Sequence, residues 1–196
     1  MSQALQFDAE RHEYRLGTRV LPGVTSVVQQ LDELDGIPRD ILEAAARFGR
    51  HVHKAVELWS RGVLDEAKLD PALVPYLNGW KEFCRHTGAV VIASEQRVWH
   101  QKLRYAGTLD SIVRIGRRRH LVDVKSSDKV PRSAGPQLAG YARAFIQDAG
   151  QSALDKVRMC VHLRPDGEYR LHKYQDASDW NVFLSCLNIH NFRNRK

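Results

Sequence analysis

The spacing of apolar residues changes near Gly88, and this change limits the folds that the chain can adopt. Before Gly88, apolar residues recur at three- and four-residue steps. This pattern predicts a long amphipathic helix over 38–61 and another after Pro71. After Gly88, enrichment in Val and Ile predicts strands instead. The expected strands are 89–99, 105–115 and 120–126. Because the chain contains both periods, it belongs to neither the all-helical nor the all-strand class.

The remaining segments predict a mixed α/β fold. Alternating apolar residues around a turn at 9–12 predict an N-terminal β-hairpin that ends at Pro22-Gly23, and a short helix is expected to follow through Leu34. The later elements are a helix marked by Leu138 and Phe145, strands at 157–163 and 168–174, and a C-terminal helix. This order predicts an α/β sandwich around a mixed central sheet that is flanked by helices.

Length and composition fit a single domain. The chain has 196 residues, of which 43% are hydrophobic and 27% charged, as in ordinary globular proteins. No uncharged stretch approaches the length of a membrane span, and the first residues do not resemble a secretory signal. We expect one domain over 1–196, with a hairpin and helical part at 1–88 and the core at 89–196.

Charge and cysteine content narrow the class of protein. The formal net charge is +7, and a pI of about 9.5 favours a polyanionic partner such as a nucleic acid. The alternative is that a charge of this size only keeps the protein soluble. The cysteines are Cys84, Cys160 and Cys186, and they form no C-x-x-C pair. A disulfide framework, a zinc knuckle and an iron–sulfur cluster are therefore not expected, and a reduced, cytoplasmic compartment is predicted.

The most informative polar residues lie on two neighbouring predicted strands. Asp123 and Lys125 are two apart and share a strand face, and a hairpin would bring Asp110 beside them. Two nearby carboxylates recruit a hard cation such as Mg²⁺, which neutralises charge on a phosphate and lowers the pKa of a water molecule. Lys125 would orient or activate the nucleophile, or stabilise the developing negative charge. The alternative is a structural salt bridge between neighbouring strands.

Two predicted helices carry further polar residues at a spacing of four. Gln137 and Tyr141 share one helix face, and Gly49 and His53 share another. The first pair could hold Lys125 or a phosphate. His53 could bind a metal, while Gly49 would allow another backbone to approach closely. Plainer interpretations are a polar first turn with a core tyrosine, and a histidine of the surface or the core.

These motifs follow one another in the order G-x-x-x-H, G-x-x-D, D-x-K and Q-x-x-x-Y. Together they resemble the PD-(D/E)XK nuclease superfamily, and more narrowly its RecB-like, phage-type exonuclease branch. The resemblance covers roughly residues 45–145 and implies a restriction-endonuclease-like core. Leu109 stands before Asp110 where the family name has a proline.

The resemblance implies a role for each matched residue. The implied ligands of a catalytic Mg²⁺, for which Mn²⁺ substitutes, are His53, Asp110, Asp123 and the backbone carbonyl of Val124. His51 is the alternative ligand if the helix is rotated. Glu95 resembles a supporting acid of this branch. The implied catalytic residues are Asp110, Asp123, Lys125, Gln137 and Tyr141, with Lys125 as the catalytic lysine.

The resemblance also implies an activity. A metal-dependent deoxyribonuclease is expected, an exonuclease rather than an endonuclease, that leaves 5′-phosphates during DNA recombination, repair or phage DNA processing. Its implied partners are DNA and a single-strand annealing or single-strand-binding protein. Two alternatives remain open: a non-catalytic DNA-binding or assembly module on a nuclease fold, and a structure-specific endonuclease.

Basic residues around the acidic motifs are candidates for binding phosphates. Lys102 and Arg104 flank the strand of Asp110, and Lys129, Arg132 and Arg143 lie around the Gln137 helix. Two further groups are the predicted hairpin turn at 117–119, for which a solvated turn is the alternative, and the C-terminal residues 193–196.

Overall fold

A five-stranded mixed sheet lies between two layers of helices. The computed structural model describes residues 4–8, 11, 13–32, 36–149 and 154–195. The strands are β1 (Leu5–Asp8), β2 (Glu13–Leu16), β3 (Arg19–Leu21), β4 (Val90–His100), β5 (Tyr105–Ile115), β6 (Arg118–Lys125), β7 (Arg158–Leu163) and β8 (Tyr169–Tyr174). The helices are α1 (Val24–Val28), α2 (Arg39–Ser60), α3 (Val74–Thr87), α4 (Ala134–Ala149) and α5 (Ser178–Arg193). The prediction of a mixed α/β fold is confirmed.

The central sheet has the order β4-β5-β6-β7-β8. All neighbouring pairs are antiparallel except β6 and β7, which run parallel and are joined through α4. A parallel pair requires such a crossover, because the chain must return to the same end of the sheet. The strands and helices of the core therefore lie within a few residues of the bounds predicted from the sequence.

Each face of the central sheet is covered by its own apolar layer. The helices α1, α4 and α5 cover one face, where Leu138, Phe145 and Phe183 are buried. The helices α2 and α3 cover the other face with Val52, Val56, Trp80 and Phe83. None of the described helices combines the length and the apolar composition that crossing a membrane requires.

The N-terminal region differs from the prediction in its detail. Strands β1, β2 and β3 form a three-stranded antiparallel sheet, so a third strand joins the predicted hairpin. Most of the predicted turn at 9–12 lies outside the described residues. The predicted short helix is α1, which continues as a 3₁₀ turn over Gln29–Leu31. Leu34, its predicted end, also lies outside the described residues.

The ends of the long helices follow local sequence. Pro38 has an extended ψ of 139° and is the N-cap of α2, not its first helical residue as predicted. Pro38 has no N–H of its own, and its carbonyl accepts a hydrogen bond of 3.2 Å from the Leu42 N–H in the first turn. Helix α3 ends at Gly88, whose φ of 65° is left-handed, as is typical of glycine after a helix. The division of the chain at 88 stays a prediction.

Candidate active site

Asp110 lies where strands β5 and β6 separate. Their hydrogen-bonded register ends at the pair Ser111 and Val122. One residue further, the Asp110 Oδ2 atom accepts a hydrogen bond of 2.7 Å from the backbone N–H of Val124. The carboxylate thus replaces a ladder contact and is held at the opening between the two strands. Val124 contributes its N–H here, and a role for its carbonyl stays a prediction.

Three side chains that can bind a metal meet at this opening. His53 on α2, Glu95 on β4 and Asp110 each place one ligand atom within 4.8 Å of the others. The Nδ1 atom of His53 lies 3.3 Å from Asp110 Oδ1. A cavity of about 10 Å³ lies between them, which is about the space of one water molecule. Val56, Glu57, Ser111 and Val124 complete its lining.

Glu95 holds a backbone conformation that is uncommon for its type. Its φ is 50°, which is the left-handed region, although it stands in the middle of β4. Such a conformation costs on the order of 1–3 kcal/mol and is found preferentially at functional sites. It occurs here at the residue whose carboxylate faces His53 and Asp110. That Glu95 acts as a supporting acid stays a prediction.

Lys125 and Asp123 lie on the other side of β6 from His53. The ammonium of Lys125 donates to Asp123 Oδ1 at 3.1 Å and to Gln137 Oε1 of α4 at 3.2 Å. Asp123 and Lys125 therefore share one face of β6, as predicted. His53 belongs to the α2 layer and Gln137 to the α4 layer, so the candidate site draws side chains from both faces of the sheet.

Asp123 is buried and does not belong to the group of His53, Glu95 and Asp110 that could hold a metal. Its Oδ2 atom lies 2.9 Å from the Lys125 ammonium, yet accepts no hydrogen bond of good geometry from the described residues. A buried carboxylate oxygen whose close donor is a poorly aligned ammonium can also accept a cation or a water. Together with the imidazole and two carboxylates of His53, Glu95 and Asp110, this donor set fits a small divalent cation.

Tyr141 and Gln137 are connected through Thr25 on α1. The Thr25 hydroxyl accepts a hydrogen bond of 3.2 Å from Gln137 Nε2 and lies 3.2 Å from the Tyr141 hydroxyl. Tyr141 itself is buried against Gly107, where an added Cβ would lie 2.5 Å from its Cε1 atom. The glycine of the G-x-x-D motif is thus required by close packing of Tyr141.

The pKa values of the three titratable groups that converge at the cavity, His53, Asp110 and Glu95, are shifted in different directions. Burial lowers the pKa of His53, but the Asp110 carboxylate outweighs it and raises that pKa to about 9. Burial raises the pKa of Asp110, but the His53 charge and hydrogen bond, together with Lys125, hold it below its usual value. Partial burial and then Asp110 raise the pKa of Glu95 to about 7, although solvent reaches this side chain and screens part of the effect.

The pKa values of Asp123 and Lys125, which form an ion pair, are both raised. Burial of Asp123 raises its pKa above the usual value, although the Lys125 ammonium acts against this and Asp110 acts with it. Burial of Lys125 disfavours its ammonium, but Asp123 and Asp110 outweigh this and raise its pKa. Lys125 therefore stays protonated at neutral pH.

The structure separates the predicted phosphate-binding residues into near and distant groups. Lys129 and Arg132 are exposed on the loop that directly follows Lys125. Arg104 and Lys102 lie in the turn before β5, six residues or more from Asp110, which is roughly 20 Å along a strand. Arg143 places its guanidinium 5.5 Å from the Trp180 ring centre. The turn at 116–117 lies about as far from Asp110 in the opposite direction.

The structure bears on two expectations about α2, the choice between His51 and His53 and the role of Gly49. His51, the alternative ligand, is exposed, and His53 faces Asp110. Gly49 does not provide a close backbone approach, because an added Cβ would meet Ser126 Oγ at 3.8 Å and no backbone atom of the described residues within 4 Å. Glycine is therefore not required by packing at this position.

Two residues near the site were not anticipated from sequence. Glu57 lines the cavity and accepts hydrogen bonds from Lys54 and Arg61. It stands one helical turn after His53, so helical spacing could have indicated it. Thr25 meets Gln137 across 112 residues of sequence, and no local pattern indicates such a contact.

The solved structures that resemble this chain include two of low sequence identity. No protein-family model and no curated protein matches the sequence. The crystal structure of SSO0001 is 16% identical, covers 89% of this chain and 76% of that chain, and gives a TM-score of 0.41. An alkaline exonuclease, LHK-Exo from Laribacter hongkongensis, is 14% identical. The match covers 87% of this chain and 89% of that chain and gives a TM-score of 0.37. At these identities and TM-scores, neither structure assigns a function to this chain.

The His53–Asp110 contact predicts a pH dependence of stability in the metal-free protein. The pKa of His53 is about 9 in the folded chain and 6.5 ordinarily. Its contribution to the free energy of unfolding is therefore complete below pH 6.5, declines as the pH rises, and is gone above about pH 9. Denaturant unfolding in EDTA between pH 6 and 10 should show this loss. His53→Gln should remove that part of the slope, and an unchanged slope in the variant would contradict the ion pair.

Proposed function

We propose that this protein is a metal-dependent nuclease that hydrolyses phosphodiester bonds in DNA, with Mg²⁺ as the natural cation and Mn²⁺ as a substitute. The observation that carries this proposal is the meeting of His53, Glu95 and Asp110 around a cavity of about 10 Å³. A paired lysine and carboxylate lie beside it on the next strand. Bound there, the cation would neutralise charge on the phosphate and lower the pKa of the attacking water.

The protein groups that would hold the cation are already arranged. His53, Glu95 and Asp110 supply the converging ligand atoms. Asp123 Oδ2, which is buried and lies 2.9 Å from the Lys125 ammonium without a well-aligned hydrogen bond, supports a further ligand or an ordered water. Because the pKa of His53 is about 9, its imidazole must lose a proton before it binds a cation near neutral pH.

Lys125 is best suited to electrostatic stabilisation. Its pKa is raised, so it is a poor general base and a persistent positive charge. An ammonium has three donors, and within the described chain two of them are directed to Asp123 and Gln137. In this proposal the third donor serves a phosphate oxygen. A fixed cation in an enclosed site stabilises the negative charge that develops as the phosphodiester is attacked.

Substrate binding is assigned first to the loop after β6. Lys129 and Arg132 lie within seven residues of Lys125 and are exposed. Such residues bind phosphates without regard to sequence and with strong salt dependence. Lys102 and Arg104, roughly 20 Å along the strand from Asp110, would contact phosphates several nucleotides away. We infer an exonuclease that leaves 5′-phosphates from the motif resemblance.

Degradation of labelled DNA tests the proposal directly. Linear single- and double-stranded DNA, labelled at the 5′ or 3′ end, is incubated with Mg²⁺, Mn²⁺ or EDTA beside the Asp123→Asn variant. We expect metal-dependent loss of linear DNA that the variant lacks, with covalently closed circles left intact. Cleavage of closed circles would indicate an endonuclease. Binding without cleavage under every metal would contradict the proposal and favour a non-catalytic DNA-binding module.

A further inference from the structure

Thr25 joins the N-terminal region to the residues that hold Lys125. Its hydroxyl contacts both Gln137 Nε2 and the Tyr141 hydroxyl of α4, each at 3.2 Å. The segment that carries it is attached on both sides of α1. Upstream, Pro22 accepts a hydrogen bond of 2.9 Å from the Ala106 N–H. Downstream, Asp32 accepts two hydrogen bonds from Ser133, directly before α4.

The attached Thr25 hydroxyl and the Lys125 ammonium together hold the two ends of the Gln137 side-chain amide. A side-chain amide has a donor end and an acceptor end. The Lys125 ammonium can only donate, so it takes the Gln137 Oε1 atom as its acceptor, and the Nε2 group at the other end donates to the Thr25 hydroxyl. Gln137 is buried and thus cannot exchange this pairing for water. The reversed amide would place two donors against each other at Lys125, and a residue 25 without a hydroxyl would leave the Nε2 group without this acceptor.

We propose that Thr25 is a positioning residue: through Gln137 it fixes the place and hydrogen bonding of the Lys125 ammonium. The inference rests on the proposed function, since the ammonium matters for rate only if Lys125 acts on a phosphate. Thr25 reaches Lys125 only through another side chain, so it changes the placement of the charge rather than supplying one. Although its hydroxyl points at α4, Thr25 is an exposed residue, so its substitution costs little packing.

Three variants separate positioning from a general structural role. Thr25→Val keeps the shape and removes the hydroxyl, and Thr25→Ser keeps the hydroxyl. Ser26→Ala is the matched control, because Ser26 is also exposed on α1 but donates only to the Gly23 carbonyl of its own segment. The measurements are kcat and KM on linear DNA with Mg²⁺, the unfolding temperature, and the NMR signals of the Gln137 side-chain amide.

We expect Thr25→Val to lower kcat by a factor of about 3–10, the range of one hydrogen bond, with KM unchanged. Its Gln137 amide signals should move and broaden. Thr25→Ser and Ser26→Ala should stay within about twofold of the wild type, and all three should unfold within a few degrees of it.

Two results would overturn the inference. One is a Thr25→Val protein with wild-type kcat and unchanged Gln137 amide signals. The other is an equal loss in Thr25→Val and Ser26→Ala, which would indicate that α1 acts only as local structure. If the wild-type protein cleaves no DNA, the proposed function fails, and the Gln137 amide signals still decide whether Thr25 positions that side chain.

Discussion

Replacing Asp110 by Asn is expected to reduce cleavage of linear DNA by at least about 10³-fold, or about 4 kcal/mol of transition-state stabilisation. The substitution removes the negative charge at the point where His53, Glu95 and Asp110 converge. It also removes the partner that raises the pKa of His53. The measurement is kcat/KM with Mg²⁺ and Mn²⁺ on labelled linear DNA.

The control for Asp110→Asn is the same change at Asp128. Asp128 is exposed on the loop after β6, near the site but outside the group that can bind a metal. We expect Asp128→Asn to cleave at close to the wild-type rate. Binding of DNA by Asp110→Asn in EDTA, followed by fluorescence anisotropy, should match the wild type or be tighter, since a negative charge is lost. Wild-type cleavage by Asp110→Asn would contradict the assignment of the site.

Gly107→Ala is expected to destabilise the fold by about 2 kcal/mol and to lower kcat. The new Cβ would lie 2.5 Å from Tyr141 Cε1 and 3.2 Å from Val24 Cγ2. Both neighbours are buried and cannot swing into solvent, so strain of about 1–3 kcal/mol is the expected cost of overpacking. For a chain of this length the unfolding temperature should fall by about 2–4 °C per kcal/mol. Displaced α4 would carry Gln137 away from Lys125.

Gly49→Ala is the matched comparison for Gly107→Ala. At Gly49 the added Cβ meets only Ser126 Oγ, at an ordinary contact distance of 3.8 Å. Glycine in a helix interior costs roughly 0.5–1 kcal/mol relative to alanine. We therefore expect Gly49→Ala to raise the unfolding temperature when both variants are measured by calorimetry. Equal destabilisation by the two substitutions would contradict the packing that the structure gives to Gly107.

The helices and strands of the core could be predicted because their signals are local. The apolar spacing of α2 and the Val- and Ile-rich segments of β4 and β5 lie within each element. The third N-terminal strand, Arg19–Leu21, is only three residues long and could not be distinguished from a turn by period. This segment is a strand because it pairs with β2, and its own sequence does not indicate that pairing.

The candidate site was predictable in its motifs but not in its groupings. Asp123 and Lys125 share a strand face because of the period of two, and their contact was foreseen. Spacing predicted a metal at Asp110 and Asp123, and the motif resemblance added His53 and a supporting Glu95. In the structure the converging ligand atoms belong to His53, Glu95 and Asp110, and a metal contact of Asp123 stays a prediction. That grouping depends on where α2 packs and on a left-handed residue within β4, which no periodic pattern indicates.

By itself, the sequence determined the order of helices and strands, the mixed α/β class and the face that Asp123 and Lys125 share, because each depends on residues close together in the chain. Only the tertiary structure decided that His53 and Gln137 approach the site from opposite layers. It alone brought Thr25 to Gln137 across 112 residues. Those contacts form because the apolar faces of α1, α2 and α4 are buried against one sheet.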